Sequence, residues 1–225
     1  MHSRAGRPAG RWSRVATGLA ALLLAATVSA CGTSGEEPLV EIGATSGSGL
    51  NGTDVSDVIR RPALSLTDTE GRTFALQDRP ADELTAVFFG YTRCPDICPT
   101  AMADLAAARR QLSDADRRHL QVVFVTEDPA TDTGPVIRRW LDAFDPAFTG
   151  LVGGDPTTQA ALDALKASRT TITETAPPGV TGPLTGSTVQ HASSVYVFHD
   201  EQVVVYTERT SPRDYAADFH AMLSA

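Results

Sequence analysis

The 225-residue sequence predicts an α/β fold: a central β-sheet flanked by helices, with a β-hairpin added on its N-terminal side. The prediction rests on the apolar runs "TAVFFG" and "QVVFVT", each of strand length and each followed by a loop and a stretch of helical spacing. It rests also on a second hairpin pattern near the C-terminus, closed by one more helical stretch.

The elements follow in order. "ALSLTDTEGRTFAL" reads as the added hairpin, with Asp68 to Gly71 supplying the turn. "TAVFFG" is apolar, β-branched and aromatic throughout, as in a strand covered on both faces. A cysteine-bearing loop follows it, and then "TAMADLAAARRQL", a helix with arginines near its end, where a helix favours cations. "QVVFVT", "DPATDTGP" and "VIRRWLDAF" repeat strand, loop and helix. "FTGLVG" is a short strand, and "DPTTQAALDALKASR" is a helix that Asp155 can cap and Pro156 can begin. The connection from Thr170 to Gln190 is rich in Thr, Pro and Gly and shows no clear structure. "SSVYVF" and "QVVVYTE", joined by "HDE", form the second hairpin, and "SPRDYAADFHAML" the last helix, with Ser211 as its cap. This order fits a thioredoxin-like fold with additions.

The chain ahead of the domain is of another kind. Arg4, Arg7, Arg11 and Arg14 precede an apolar run from Val15 to Val28 that is too short for a stable membrane span, which marks a secretory signal. Ser29 and Ala30 lead directly into Cys31, which resembles the lipobox of bacterial lipoproteins, whose cysteine is acylated and becomes the new amino terminus. The expected organisation is a signal peptide over 1–30, a Gly-, Ser- and Thr-rich flexible tether over 31–57 with its lipid on Cys31, and one domain over 58–225. The whole chain carries a net charge of −8, and loss of the four arginines of the signal takes it to −12. Such a balance argues against nucleic acid as a partner.

Two of the three cysteines, Cys94 and Cys98, stand in the loop "FFGYTRCPDICPT". Pro99 biases Cys98 towards an extended conformation at the helix entrance, while Pro99 itself suits the first helical turn. A helix N-terminus favours thiolate, the form that binds metal and exchanges disulfides. A bridge between residues so near in sequence gains little chain entropy, and the domain is long enough to build its core without a staple. Reactive thiols are therefore expected, either as a redox-active pair or as a metal clamp. Two thiolates suit Cu(I), and an added imidazole extends the site to Cu(II) or Zn(II). His119, His199 and His220 read as surface or half-buried histidines in the approach to a strand, in the hairpin turn and in the last helix. His191 ends the long connection directly before a central strand, and connections of that length usually cover a site. It is the candidate third ligand. Met102, Phe89 and Tyr91 read as packing residues.

"FFGYTRCPDICPT", "VTEDPATDT" and "QHASSVYVF", in that order, resemble the Sco/SenC proteins, copper-handling assembly factors of cytochrome oxidase. The resemblance runs from about Pro62 to the last helix. It implies a thioredoxin-like domain at the outer face of the bacterial cytoplasmic membrane, binding one copper ion per chain through Cys94, Cys98 and His191. It further implies action on the copper-bearing subunit of cytochrome c oxidase, as copper donor or as reductant of its cysteines. Other extracytoplasmic copper chaperones or thiol reductants become further partners. The implied role is a metallochaperone more than an enzyme, with thiol-disulfide oxidoreductase as the alternative. Asp128 and Asp132 of "DPATDT" become neighbours of the site that support the cysteine loop without ligating metal. Arg93 stands where many members have histidine, and Gln190 where many have the aspartate that would orient the ligand histidine.

Overall fold

The computed structural model describes residues 49–153, 156–167, 171–173, 188–190 and 194–225. The first strand, β1 (Thr53–Asp54), lies inside the expected tether, and the fold takes in residues from about Leu50 onward. Val55 is buried, and its N–H donates to the Val203 carbonyl. β2 (Ser65–Asp68) and β3 (Thr73–Ala75) are the added hairpin, with Gly71 at φ +83 in its turn, a left-handed conformation that favours glycine.

β4 (Leu84–Gly90) is buried at all seven positions, which is why its sequence shows no polar alternation. α1 (Ile97–Gln111) follows, and then α2 (Asp114–His119), a helix absent from the sequence reading. No residue of α2 is buried, so it has no apolar stripe to betray it. It rests instead on Ser113, whose side chain accepts from the Asp116 N–H, and on aspartates in its first turn. β5 (Leu120–Thr126), α3 (Gly134–Leu141), β6 (Thr149–Val152) and α4 (Pro156–Ala164) match the expected elements. The expected cap Asp155 lies outside the described residues.

The long connection has paired ends: β7 (Thr171–Thr173) and β8 (Thr188–Gln190) form an antiparallel ribbon of their own. β9 (Val195–His199) and β10 (Gln202–Tyr206) follow, so His199 closes a strand instead of sitting in the turn. α5 (Pro212–Leu223) ends the fold, and Ser211 caps it by accepting from the Asp214 N–H.

The main sheet has the order β1-β10-β9-β4-β5-β6-β2-β3. β4, β5 and β6 run parallel, and β9 is antiparallel to β4. Alternation along β4 assigns its side chains to two cores. Leu84, Ala86 and Phe88 pack with residues of α1, α3 and α5, among them Met102, Leu105 and Phe219. Val87 and Phe89 face the other core with Leu162, Leu165 and the N-terminal Leu64 and Leu66. Each fully buried side chain of this size contributes about 1.5–3 kcal/mol. Among the described residues no helix is long and apolar enough to cross a membrane.

Candidate metal centre

Open α/β sheets place ligands outside the carboxyl ends of their parallel strands. Two neighbouring loops among those that leave these ends are the cysteine loop after Gly90 of β4 and "EDPATDT" after Thr126 of β5. The Glu127 N–H donates to the Gly90 carbonyl at 2.8 Å and joins them at their roots. Gly90 is needed for space, because a Cβ there would stand 2.8 Å from Cys98 Sγ and 2.9 Å from the Phe88 ring.

Both cysteines are free thiols in the core, Cys94 at 6% exposure and Cys98 at 0%. The Cys94 N–H donates to the Tyr91 carbonyl at 3.2 Å, closing a turn that aims its side chain at the start of α1. Cys98 lies in the first turn of α1, so it is helical and not extended as Pro99 led one to expect. The reason is the place of Pro99 within that turn, where the N–H it lacks has no partner inside the helix anyway. The Cys98 N–H donates to Cys94 Sγ at 3.4 Å. An ionised or metal-bound sulfur accepts such a bond more strongly than a thiol does.

The helix terminus does not lower the Cys98 thiol. Its hydrogen bond with Cys94, and next its burial, push the pKa well above the ordinary thiol value, and the Tyr91 backbone bond offsets this only in part. Cys98 is thus a thiol at neutral pH, and it needs a metal ion or an oxidant to give up its proton.

Asp132 is wholly buried and accepts hydrogen bonds from the Thr92 N–H at 2.8 Å, the Thr92 hydroxyl and the Thr126 hydroxyl at 2.7 Å. It therefore pins the cysteine loop to the end of β5. Thr126 also accepts from the Asp128 N–H at 3.0 Å. The Asp128 carboxylate takes the Arg93 guanidinium at 2.9 Å. Arg93, where histidine was the common choice, thereby ties the loop bearing Cys94 to the neighbouring loop. Asp128 and Asp132 thus hold the loop through hydrogen bonds from Arg93 and Thr92. Thr92, Thr126 and Gly90 were not singled out from sequence, and a hydroxyl or glycine at a strand end carries no signal of its own.

Met102, Phe89 and Tyr91 are buried packing residues. His119 and His199 line a cleft with Leu223 at the far end of the sheet, and His220 pairs with Asp116 of that same cleft, so none of the three approaches the cysteines. His191 and Cys31 lie outside the described residues. Among the described residues no three His, Cys, Asp or Glu side chains form a metal-holding group. β9 enters the sheet at Val195 opposite Phe88, next to the end of β4 from which the cysteine loop departs.

A sequence profile of the SCO1/SenC family matches residues 58–224. The chain is 36% identical over 89 residues to the mitochondrial protein SCO2 of Saccharomyces cerevisiae, a match covering 40% of this chain and 29% of that relative. It thus spans less than a third of that relative's length. Among solved structures, apo Sco1 of Thermus thermophilus shares 26% identity at a TM-score of 0.63, over 77% of this chain and 96% of that one. ScoI of Bradyrhizobium japonicum with copper bound shares 25% identity at a TM-score of 0.58, over 72% of this chain and 98% of that one.

Proposed function

The chain belongs to the SCO1/SenC family, and from that premise we propose that it is a copper-binding assembly factor for the dinuclear copper centre of cytochrome c oxidase, working outside the cytoplasmic membrane. Cys94 and Cys98 supply two sulfurs and His191 an imidazole nitrogen to one copper ion. The observation that carries this reading is the pair of buried free thiols, with the Cys98 N–H on Cys94 Sγ at 3.4 Å. Two sulfurs held this way, in a loop fixed by Asp132, form a soft donor set suited to Cu(I). The copper is cargo. What the chain contributes is two thiols that lose protons on loading and a loop that holds them in place. We place the lipid anchor at Cys31, which keeps the domain beside its membrane-bound recipient.

The contact between the two cysteines also supports the second reading, a thiol-disulfide oxidoreductase. One thiolate would attack a disulfide of the recipient, and the other would resolve the mixed disulfide and leave the recipient reduced. His191 separates the two. In membranes of a deletion strain, His191→Ala is expected to lose oxidase activity nearly as fully as Cys94→Ser/Cys98→Ser. Near wild-type activity would establish the oxidoreductase instead. The reduced mature chain should take up one copper ion, and either single cysteine variant should lose tight binding. Cys31→Ser should release the domain from membranes, and an unmodified Cys31 in the mass spectrum of the native N-terminal peptide would refute the anchor.

A further inference from the structure

We propose that the pole of the domain carrying Cys94 and Cys98 is the one turned towards the bilayer, so that copper is exchanged with a partner presenting its site close to the membrane surface. The proposal rests on the lipid-anchored reading above.

Strand register supplies the geometry. Phe88, near the cysteine end of β4, pairs with Val195 at the start of β9, and Val195 pairs with Tyr206 at the end of β10. β1 runs back along β10, with Thr53 opposite Val205 and Asp54 opposite Val204. Residues preceding Thr53 therefore reach the fold at the cysteine end. Counted across β4, β9, β10 and β1, the entry point is about 14 Å from the cysteine loop, from a strand spacing of ~4.8 Å.

The entry point is also locked. Asp218 of α5, 2% exposed, accepts from the Asn51 N–H at 2.8 Å, the Asn51 side-chain amide at 2.7 Å, the Gly52 N–H at 3.0 Å and the Tyr206 hydroxyl at 3.1 Å. Gly52 lies so close to the Tyr206 ring that a Cβ would come within 2.6 Å of it. A flexible leader joining a folded domain needs no buried carboxylate at the junction. This one fixes where the tether leaves.

The opposite pole is distant from the tether. The turn after His199, the end of α2 and Leu223 of α5 meet there around one cleft. A seven-residue strand spans about 23 Å. A chain that enters at the cysteine pole puts the thiols at the anchored end of the domain, whereas turning the domain over would move them a full sheet height away.

The test places probes at the two ends of β10. The full chain in a Cys94→Ser/Cys98→Ser background, carrying either Arg209→Cys or Glu201→Cys, is labelled with a fluorescent donor after extraction from membranes. It is then returned to phosphatidylcholine vesicles containing rhodamine-headgroup lipid. Energy transfer from position 209 is expected to exceed that from position 201 by about twofold or more, given a sheet height of about 23 Å between them. Equal or reversed transfer in protein that floats with the vesicles overturns the orientation and leaves the anchor standing. Protein that does not float, and takes up label at Cys31, overturns both.

Discussion

Asp132 shows how much a single side chain can hold. It receives three hydrogen bonds at zero exposure, so Asp132→Ala leaves the buried Thr126 hydroxyl and the half-buried Thr92 donors without their acceptor. The expected loss is about 1–3 kcal/mol in urea unfolding, together with faster amide exchange across residues 91–96. Arg93→Ala, which removes a largely exposed ion pair, should cost at most about 1 kcal/mol. Cys98 yields a pH prediction. Its thiol is held protonated well above the usual range, so copper loading must expel that proton. Raising the pH favours the bound state, and with one proton released from each thiol, Cu(I) affinity in chelator competition should rise about a hundredfold per unit between about pH 6 and about pH 8. A slope of only about tenfold per unit would mean that Cys98 binds as a neutral thiol or not at all. The cysteines themselves were legible in the sequence because they lie in one short loop. Their support was legible only in part: the resemblance pointed to Asp128 and Asp132, whereas Thr92 and Thr126 meet Asp132 only when two loops at neighbouring strand ends converge.

Among the elements, those buried on a whole face announced themselves, and those held by polar contacts did not. β4 and β5 read as strands because all their residues but Gln121 are buried. α2 is polar on all sides, and β1 sits in a stretch of Gly, Asn, Thr and Asp that has the composition of a linker. Its hold on the fold is the Asp218 cluster and the close fit of Gly52. Gly52→Val should therefore cost about 1–3 kcal/mol and expose residues 50–55 to exchange, while leaving the cysteine loop protected. The hairpin β2–β3 carries a separate signature. Burial pushes the Asp68 carboxyl up, but bonds from the Arg72 N–H and guanidinium and from the Glu70 N–H outweigh it, and its pKa falls below the usual range. A carboxylate lowered in the fold stabilises above the unfolded value near 4, and that contribution is lost as pH falls below it. Asp68→Asn should accordingly flatten the acid limb of the stability profile, measured as the urea midpoint below about pH 4.

At the scale of the whole molecule the order of elements was readable, whereas its poles were not, because polarity depends on strand register. The same register sets the borders of the sheet. Its outermost strands are β1, with two residues, and β3, with three, flanking strands of up to seven. Unpaired edges are templates on which another chain can add a strand, and the hazard grows with edge length. Here each border offers only a few free backbone groups, and the two residues ahead of β1, Asn51 and Gly52, are fastened from within by Asp218. The purified domain should remain monomeric by light scattering as its concentration rises, and Gly52→Val, which loosens the border next to β10, should be the variant that aggregates. On the membrane-anchored reading proposed above, the domain would meet its own copies at high local density. Its two clipped margins are thus a safeguard against self-association.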